Sequence, residues 1–173
     1  MRKAALALLL LGGCDRPAPA GDAADADNPL EIAARERGVV QLGASAPTGV
    51  FERRHDLGRD AMCVVPDGEG RWRFAMTAAF GTELFCTTRG TMTREADGWR
   101  LRFSGRPGCE PVVREDEDGV RLPGLMPASC ANLCPSRASL AGLSLPRVSW
   151  AEEDAKRLQM RDEKGIMARP CSG

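Results

Sequence analysis

The stretch Arg71-Trp72-Arg73-Phe74-Ala75-Met76 places Trp72, Phe74 and Met76 at every second position, with the two arginines between them. Trp99-Arg100-Leu101-Arg102-Phe103 repeats this alternation. A period of two residues is typical of a strand with one buried and one solvated face. Both stretches therefore predict β-strands whose apolar side chains enter a core, namely Trp72, Phe74, Trp99, Leu101 and Phe103.

Turn signals divide the chain around these stretches into further short strands. Pro66-Asp67-Gly68-Glu69-Gly70 precedes the first stretch, and Ala96-Asp97-Gly98 precedes the second. Additional strand candidates are residues 49–55, 61–65, 84–94, 109–114 and 120–122. Six or seven short antiparallel strands joined by tight turns predict a mainly β fold, in which a meander curls into a small barrel or sandwich.

Helix signals stand at both ends of this β region. Asn28-Pro29 with Glu31 is a typical helix start, and Gly38 a typical stop, which predicts a short helix over 29–37. Ser149 with Glu152 forms the pattern of a capping box, and Gly165 ends the pattern that follows. The sequence therefore predicts a C-terminal helix over 150–164, packed across the sheet.

The length and charge balance of the chain limit the classes of protein to which it can belong. The chain has 173 residues, of which 43% are hydrophobic and 28% charged, as expected for one folded domain. Lys and Arg number 24, as do Asp and Glu, so the basic excess typical of a nucleic-acid-binding protein is absent.

The N-terminus has the pattern of an export signal. Met1-Arg2-Lys3 is positively charged and residues 4–11 are apolar, a run too short to span a bilayer. The following Leu11-Gly12-Gly13-Cys14 resembles the bacterial lipobox. This resemblance implies diacylglyceryl transfer to the Cys14 thiol, cleavage before it, and acylation of the new amino terminus.

The lipobox defines three segments. Residues 1–13 are the predicted signal peptide, 14–27 a lipidated disordered tether without large apolar residues, and 28–173 a single disulfide-stapled domain. We expect a cell-envelope protein that is held in the membrane through acylated Cys14 and faces the periplasm. Asp15 resembles the inner-membrane retention signal of enteric lipoproteins, which favours the inner membrane.

Six further cysteines favour three disulfides, as expected for an exported chain. Sequence order favours a Cys63–Cys86 pair, with the other two bridges in the second half and Cys171 pinning the chain end. Cys130 and Cys134, in the pinned segment 127–135, could each reach a different partner. The alternative is that these two serve thiol redox or metal chemistry. The disulfide candidates are Cys63, Cys86, Cys109, Cys130, Cys134 and Cys171.

The sequence contains no local catalytic motif such as G-x-S-x-G, H-E-x-x-H or a P-loop. Its one histidine, His55, could act as a general base oriented by Asp56, but a surface histidine in a charged strand is the preferred interpretation. No cofactor and no metal site are implied. An anion-binding face would arise if two strands were neighbours and brought together Arg71, Arg73, Arg100 and Arg102.

Three stretches resemble an uncharacterised family of small exported proteins from sphingomonad-type alphaproteobacteria: residues 51–65, 122–134 and 137–142. This resemblance implies no function. The predicted architecture is also similar to periplasmic inhibitor barrels, among them metalloprotease inhibitors and membrane-anchored lysozyme inhibitors, although no inhibitory loop can be matched.

The sequence therefore predicts a non-catalytic envelope lipoprotein that acts as a binding or interaction module. Its partner would be an envelope protein, a glycan or a lipid. The alternatives are a protease or lysozyme inhibitor, and a thiol redox or metal-binding protein that uses Cys130 and Cys134.

Overall fold

A computed structural model describes residues 46–116 and 119–173, together with the isolated positions 29, 32 and 33. Its strands are β1 (Gly49–His55), β2 (Gly58–Pro66), β3 (Arg71–Ala79), β4 (Phe85–Glu95), β5 (Gly98–Phe103), β6 (Val112–Asp116), β7 (Gly119–Arg121), β8 (Ser144–Ser149), β9 (Met160–Arg161) and β10 (Met167–Ala168). The helical segments are a 3-10 turn, Ala128–Cys130, and one α-helix, α1 (Glu152–Arg157).

Strands β1 to β8 follow one another around a closed antiparallel barrel, and β9 and β10 form a separate hairpin. The predicted mainly β class is thus confirmed, and the architecture is a barrel. Strand β8 was not predicted, because Pro146 interrupts a segment that otherwise reads as a strand. It pairs with β7 on one side and β1 on the other, and so closes the barrel.

Several sequence predictions fall on residues outside the described part of the chain. These are the signal peptide 1–13, the tether 14–27 with Cys14, and the helix 29–37 apart from positions 29, 32 and 33. In the described part, no helix is both long and apolar enough to cross a membrane.

The barrel interior holds the side chains that the alternation predicted to be buried. Phe74 and Leu101 are fully buried, and Trp99 and Phe103 nearly so, while Trp72 packs against them partly exposed. Two edge-to-face aromatic pairs bridge β3 and β5 across the interior, Trp72 with Trp99 at 5.0 Å and Phe74 with Phe103 at 5.4 Å between ring centroids.

A second core lies on the outside of the barrel wall. The outward side chains of β1 to β3 are covered by α1 and the chain that follows it, through Ala155, Met160 and Cys171. Strand β2 is therefore apolar on both faces over residues 61–65, five consecutive residues that are all buried. The outward residues in this second core are Val50, Ala61, Cys63, Val65 and Ala75.

The predicted C-terminal helix over 150–164 is wrong in extent and in its cap. The helix covers only Glu152–Arg157 and begins after Ala151, which makes no side-chain cap, while Ser149 Oγ hydrogen-bonds Asp154 Oδ2 at 2.6 Å. The chain becomes extended at Leu158 so that Met160 can enter the second core. Gly165, with φ +78°, lies in the turn between β9 and β10.

The predicted Cys63–Cys86 bridge is also wrong. Cys63 faces the second core outside the barrel, whereas Cys86 faces the interior, so the barrel wall separates them. The three disulfides are Cys63–Cys171, Cys86–Cys134 and Cys109–Cys130. Cys171 does pin the chain end, and Cys130 and Cys134 do reach different partners, as predicted.

Candidate binding groove beside strand β4

Strand β4 is much longer than the partner on one of its sides. It has 11 residues and pairs with β3 over residues 85–93, whereas β5 has 6 residues and pairs only with Gly90–Glu95. Beyond Gly90, the β5 chain turns away through Ser104 and Gly105, whose φ is +70°. Among the described strands, none pairs with this side of the first half of β4, residues 85–89, which we call the open edge. At its end next to Gly90, the carbonyl oxygen of Arg89 still accepts a backbone hydrogen bond from Ser104 at 2.8 Å.

Gly90 marks where the open edge begins. A Cβ atom at this position would stand 1.9 Å from the carbonyl oxygen of Arg102. Only glycine allows the backbones of β4 and β5 to approach this closely at the last pair of their ladder.

The open edge lies in a groove of about 1280 Å³ between three other segments. The turn after β5, residues 104–106, borders the groove. The loop around Cys134 forms one wall, and the β9–β10 hairpin forms another. Two constraints hold the walls in place. Cys134 is bonded to Cys86 of β4, and the hydroxyls of Thr77 and Thr87 donate to the carbonyl oxygen of Arg161 at 3.1 and 3.2 Å.

The lining of the groove includes a buried polar atom without a partner. Thr88 points into the barrel, is 7% exposed, and its hydroxyl makes no hydrogen bond. Most buried hydroxyls in proteins are satisfied, so an orphaned one at a groove is a site where a ligand or water atom would be stabilised.

The groove carries charges of both signs, with an excess of basic groups. The basic residues are Arg89, Arg106, Arg161 and Lys164, and the acidic ones are Glu83, Asp162 and Glu163. Arg89 and Arg106 are exposed at the rim, and within the described part of the chain neither forms an ion pair. Both guanidinium groups are therefore available to an incoming acidic group.

An apolar patch adjoins the groove. A second depression of about 430 Å³ shares Thr82, Phe85 and Arg161 with it and is lined by Leu57 and Met167. Leu57 is 56% exposed and Met167 is 52% exposed. Apolar side chains at the border of a polar groove are a common composition of protein-binding surfaces.

His55 is not oriented by Asp56, as the general-base hypothesis required. Its Nε2 lies 3.0 Å from Oδ1 of the buried Asp60, and its Nδ1 accepts a hydrogen bond from the backbone N–H of Leu57 at 3.3 Å. Both ring nitrogens are thus engaged within the β1–β2 hairpin. This geometry gives His55 a structural role at one end of the barrel.

Asp60 is the centre of this polar cluster. It accepts hydrogen bonds from Arg53 Nη2 at 2.6 Å and from the backbone N–H of Ala79 at 2.9 Å. Burial alone would raise the pKa of Asp60, but hydrogen bonds from His55, Ala79 and Arg53 outweigh it and hold the pKa below its ordinary value.

The four arginines proposed for an anionic surface do not lie on neighbouring strands. Strand β4 separates β3 from β5, and its threonines stand between the arginines: Arg73, Thr91 and Arg102 in one row, and Arg71, Thr93 and Arg100 in the next. Three of the four are paired with carboxylates: Arg71 with Asp67, Arg100 with Glu95, and Arg102 with Glu110. This outer face is therefore mixed in charge.

The redox or metal alternative required free thiols at Cys130 and Cys134. Cys130 is bonded to Cys109, and Cys134 to Cys86, so neither residue has a thiol in this structure. Across the described residues, no group of three His, Cys, Asp or Glu side chains is arranged to hold a metal ion.

No local motif in the sequence marks the open-edge residues Thr87, Thr88 and Arg89 as a site. One signal was present. The predicted strand 84–94 is about twice as long as its hairpin partner at 99–103, so half of it had to lack that partner.

Fold and groove together define a class: a closed antiparallel β-barrel, covalently stapled by three disulfides, with an open strand edge in a recessed groove. No family model, curated protein or solved structure matches the chain.

Proposed function

We propose that this protein is a non-catalytic binding module of the bacterial envelope, anchored to the membrane through acylated Cys14 and engaging its partner in the groove beside β4. The observation that carries the proposal is the open edge itself, which combines unpaired strand backbone, the orphaned Thr88 hydroxyl and an apolar border in one recess.

The covalent framework suits binding more than it suits a hinge or lid. One groove wall is bonded to β4 by Cys86–Cys134, and the segment that bears the other wall is bonded to β2 a few residues further on, through Cys63–Cys171. A groove held in its bound shape loses little conformational entropy when a partner enters, so more of the contact energy remains as affinity.

Site-specific photocrosslinking in cells tests the binding function. A benzoylphenylalanine at Ser104, an exposed residue of the groove, is expected to form a discrete adduct after irradiation. The matched control is the same group at Val148, which is 59% exposed on β8, across the barrel from β4. Equal labelling from both positions, or none from either, would contradict a partner in the groove. If the adduct is a secreted protease or a lysozyme, the module is an inhibitor.

Replacing Cys14 by serine tests the anchor. The wild-type protein is expected in the membrane fraction with acyl chains on Cys14, because two or more chains give a stable attachment at about 0.8 kcal/mol per buried methylene. The C14S variant is expected to leave that fraction and to lack the acyl mass on its N-terminal peptide. Retention of C14S in the membrane at the wild-type level would show that the protein is held there by other means.

A further inference from the structure

We infer that the occupant of the groove is an extended polypeptide segment that adds to the open edge of β4 as a further strand. This inference rests on the proposed binding function and specifies how the partner is recognised.

The direction of the backbone groups supports strand addition. The backbone N–H of Ser104 donates to the carbonyl oxygen of Arg89 at 2.8 Å, so the carbonyl of Arg89 points toward the β5 side. In an antiparallel strand, the backbone groups of successive residues point to opposite sides, so residues two positions apart point to the same side. The N–H and C=O of Thr87 therefore point in the same direction as those of Arg89, into the groove.

The pairing with β3 gives an independent check of this direction. Thr77 and Thr87 face each other, and their hydroxyl oxygens are only 3.1 Å apart. Such close side chains are typical of the pairs that do not exchange backbone hydrogen bonds in an antiparallel ladder. The backbone donor and acceptor of Thr87 are therefore directed away from β3, toward the open edge.

The size of the groove favours a chain over a small molecule. Its volume of about 1280 Å³ exceeds the roughly 300–1000 Å³ that is usual for small-molecule pockets. An extended peptide fills such a recess while its backbone completes the sheet, and pockets for alternate side chains supply specificity. The orphaned Thr88 hydroxyl beneath the edge would receive a polar group of that peptide.

The charges at the groove indicate the composition of the peptide that would bind there. Arg89 and Arg106 flank the point where β4 parts from β5 and have no carboxylate partner in the described part of the chain. A segment with an acidic side chain at this end would pair with them, and guanidinium groups bind carboxylates with favourable geometry. The occupant is thus an extended acidic segment.

The probe is a library of random heptapeptides displayed on phage and selected against the purified full chain. Selected peptides are expected to contain an acidic residue and to depend on their backbone. Methylation of alternate peptide nitrogens removes donors to β4 and is expected to weaken binding at least tenfold, whereas methylation of the intervening nitrogens has little effect. Peptides that tolerate methylation at every nitrogen would overturn strand addition.

Two variants at one position test the protein side. Both Thr87→Pro and Thr87→Val lose the hydroxyl that bonds Arg161, but only proline also loses the backbone N–H. Binding of the selected peptides is expected to fall at least tenfold in T87P and to remain within about twofold of wild type in T87V. Equal affinities for the two variants would overturn the inference. If T87P does not fold, the methylation series decides alone.

The two proposals fail in different ways. A groove adduct from Ser104 together with selected peptides that are insensitive to backbone methylation would retain the binding function and reject strand addition. The absence of any selected peptide, with a glycan or lipid adduct at Ser104, would likewise reject strand addition alone. Equal labelling from Ser104 and Val148, or no adduct from either position, would reject the binding function.

Discussion

Replacing Cys63 and Cys171 together by alanine is expected to lower the free energy of unfolding by about 4 kcal/mol. The bridge joins residues separated by 108 positions, the longest span of the three disulfides. Cross-linking a chain restricts its unfolded state, and a loop of this order corresponds to roughly 4–5 kcal/mol on the chain-entropy model. The Cys86–Cys134 bridge already shortens the loop, which places the expected value at the lower end.

The same bridge holds the second core together. Cys171 packs with Ala155 and Met160 against the outward face of β1 to β3. Without the bond, the segment after β8 can separate from this face and expose apolar side chains that the closed barrel does not otherwise cover. We therefore expect the C63A/C171A variant to be cut by proteases after residue 149 while the barrel itself resists cleavage.

The control is Cys109→Ala with Cys130→Ala, which removes a bridge between residues separated by 21 positions. Its expected cost is about 3 kcal/mol, and the C-terminal segment should stay protected. Urea denaturation of the oxidised proteins gives the free energies, and timed proteolysis followed by mass spectrometry gives the cleavage sites. A C63A/C171A variant as stable as this control, or without cleavage after residue 149, would contradict the assigned role of the second core.

The strands of the barrel were predictable because their cause is local. A period of two residues at Trp72, Phe74 and Met76, with turn residues on either side, is written into a few consecutive positions. Strand β8 was missed because Pro146 lowers the local strand signal. The proline is tolerated because the pairing of β8 with β1 reaches only Arg147, so no bond of that ladder requires an N–H at position 146.

The second core and the groove depend on contacts that have no local signature. The run Ala61-Met62-Cys63-Val64-Val65 is apolar throughout, which indicates burial on both faces, but not which segment covers the outer one. The spacing of the apolar residues Ala151, Ala155 and Leu158 is compatible with a long helix. It is equally compatible with the short α1 followed by the β9–β10 hairpin. The position of the loop around Cys134, which borders the groove, depends on which cysteine Cys134 is bonded to. Sequence order favoured a Cys63–Cys86 bond, but these two residues face opposite sides of the barrel sheet, and Cys86 is bonded to Cys134 instead.

Replacing Asp60 by alanine is expected to cost about 3 kcal/mol at pH 7. Asp60 is 1% exposed, and its removal leaves the buried N–H of Ala79 without an acceptor and Arg53 without its carboxylate. Removing one member of a buried, hydrogen-bonded pair costs roughly 3–5 kcal/mol, and the partial exposure of Arg53 places this case at the lower end. Urea denaturation at pH 7, 5 and 3 measures the cost.

The cost should shrink in acid. The pKa of Asp60 lies below its ordinary value in the folded state, with burial opposing the shift and hydrogen bonds from His55, Ala79 and Arg53 producing it. Its stabilising contribution is therefore complete above the unfolded pKa of about 4 and is lost as pH falls through the folded pKa. We expect the difference between wild type and D60A to be smaller at pH 3 than at pH 5.

Asp116→Ala is the matched control, because Asp116 forms an equally short 2.6 Å ion pair with Arg121 but both side chains are about half exposed. Exposed pairs contribute below about 1 kcal/mol, so D116A should stay close to wild type at pH 7. Equal losses of unfolding free energy in D60A and D116A would mean that the buried Asp60 cluster stabilises the fold no more than a solvent-exposed ion pair does. A D60A deficit that persists unchanged at pH 3 would mean that its charge contributes nothing, and that the loss comes from packing and from the unpaired Ala79 N–H.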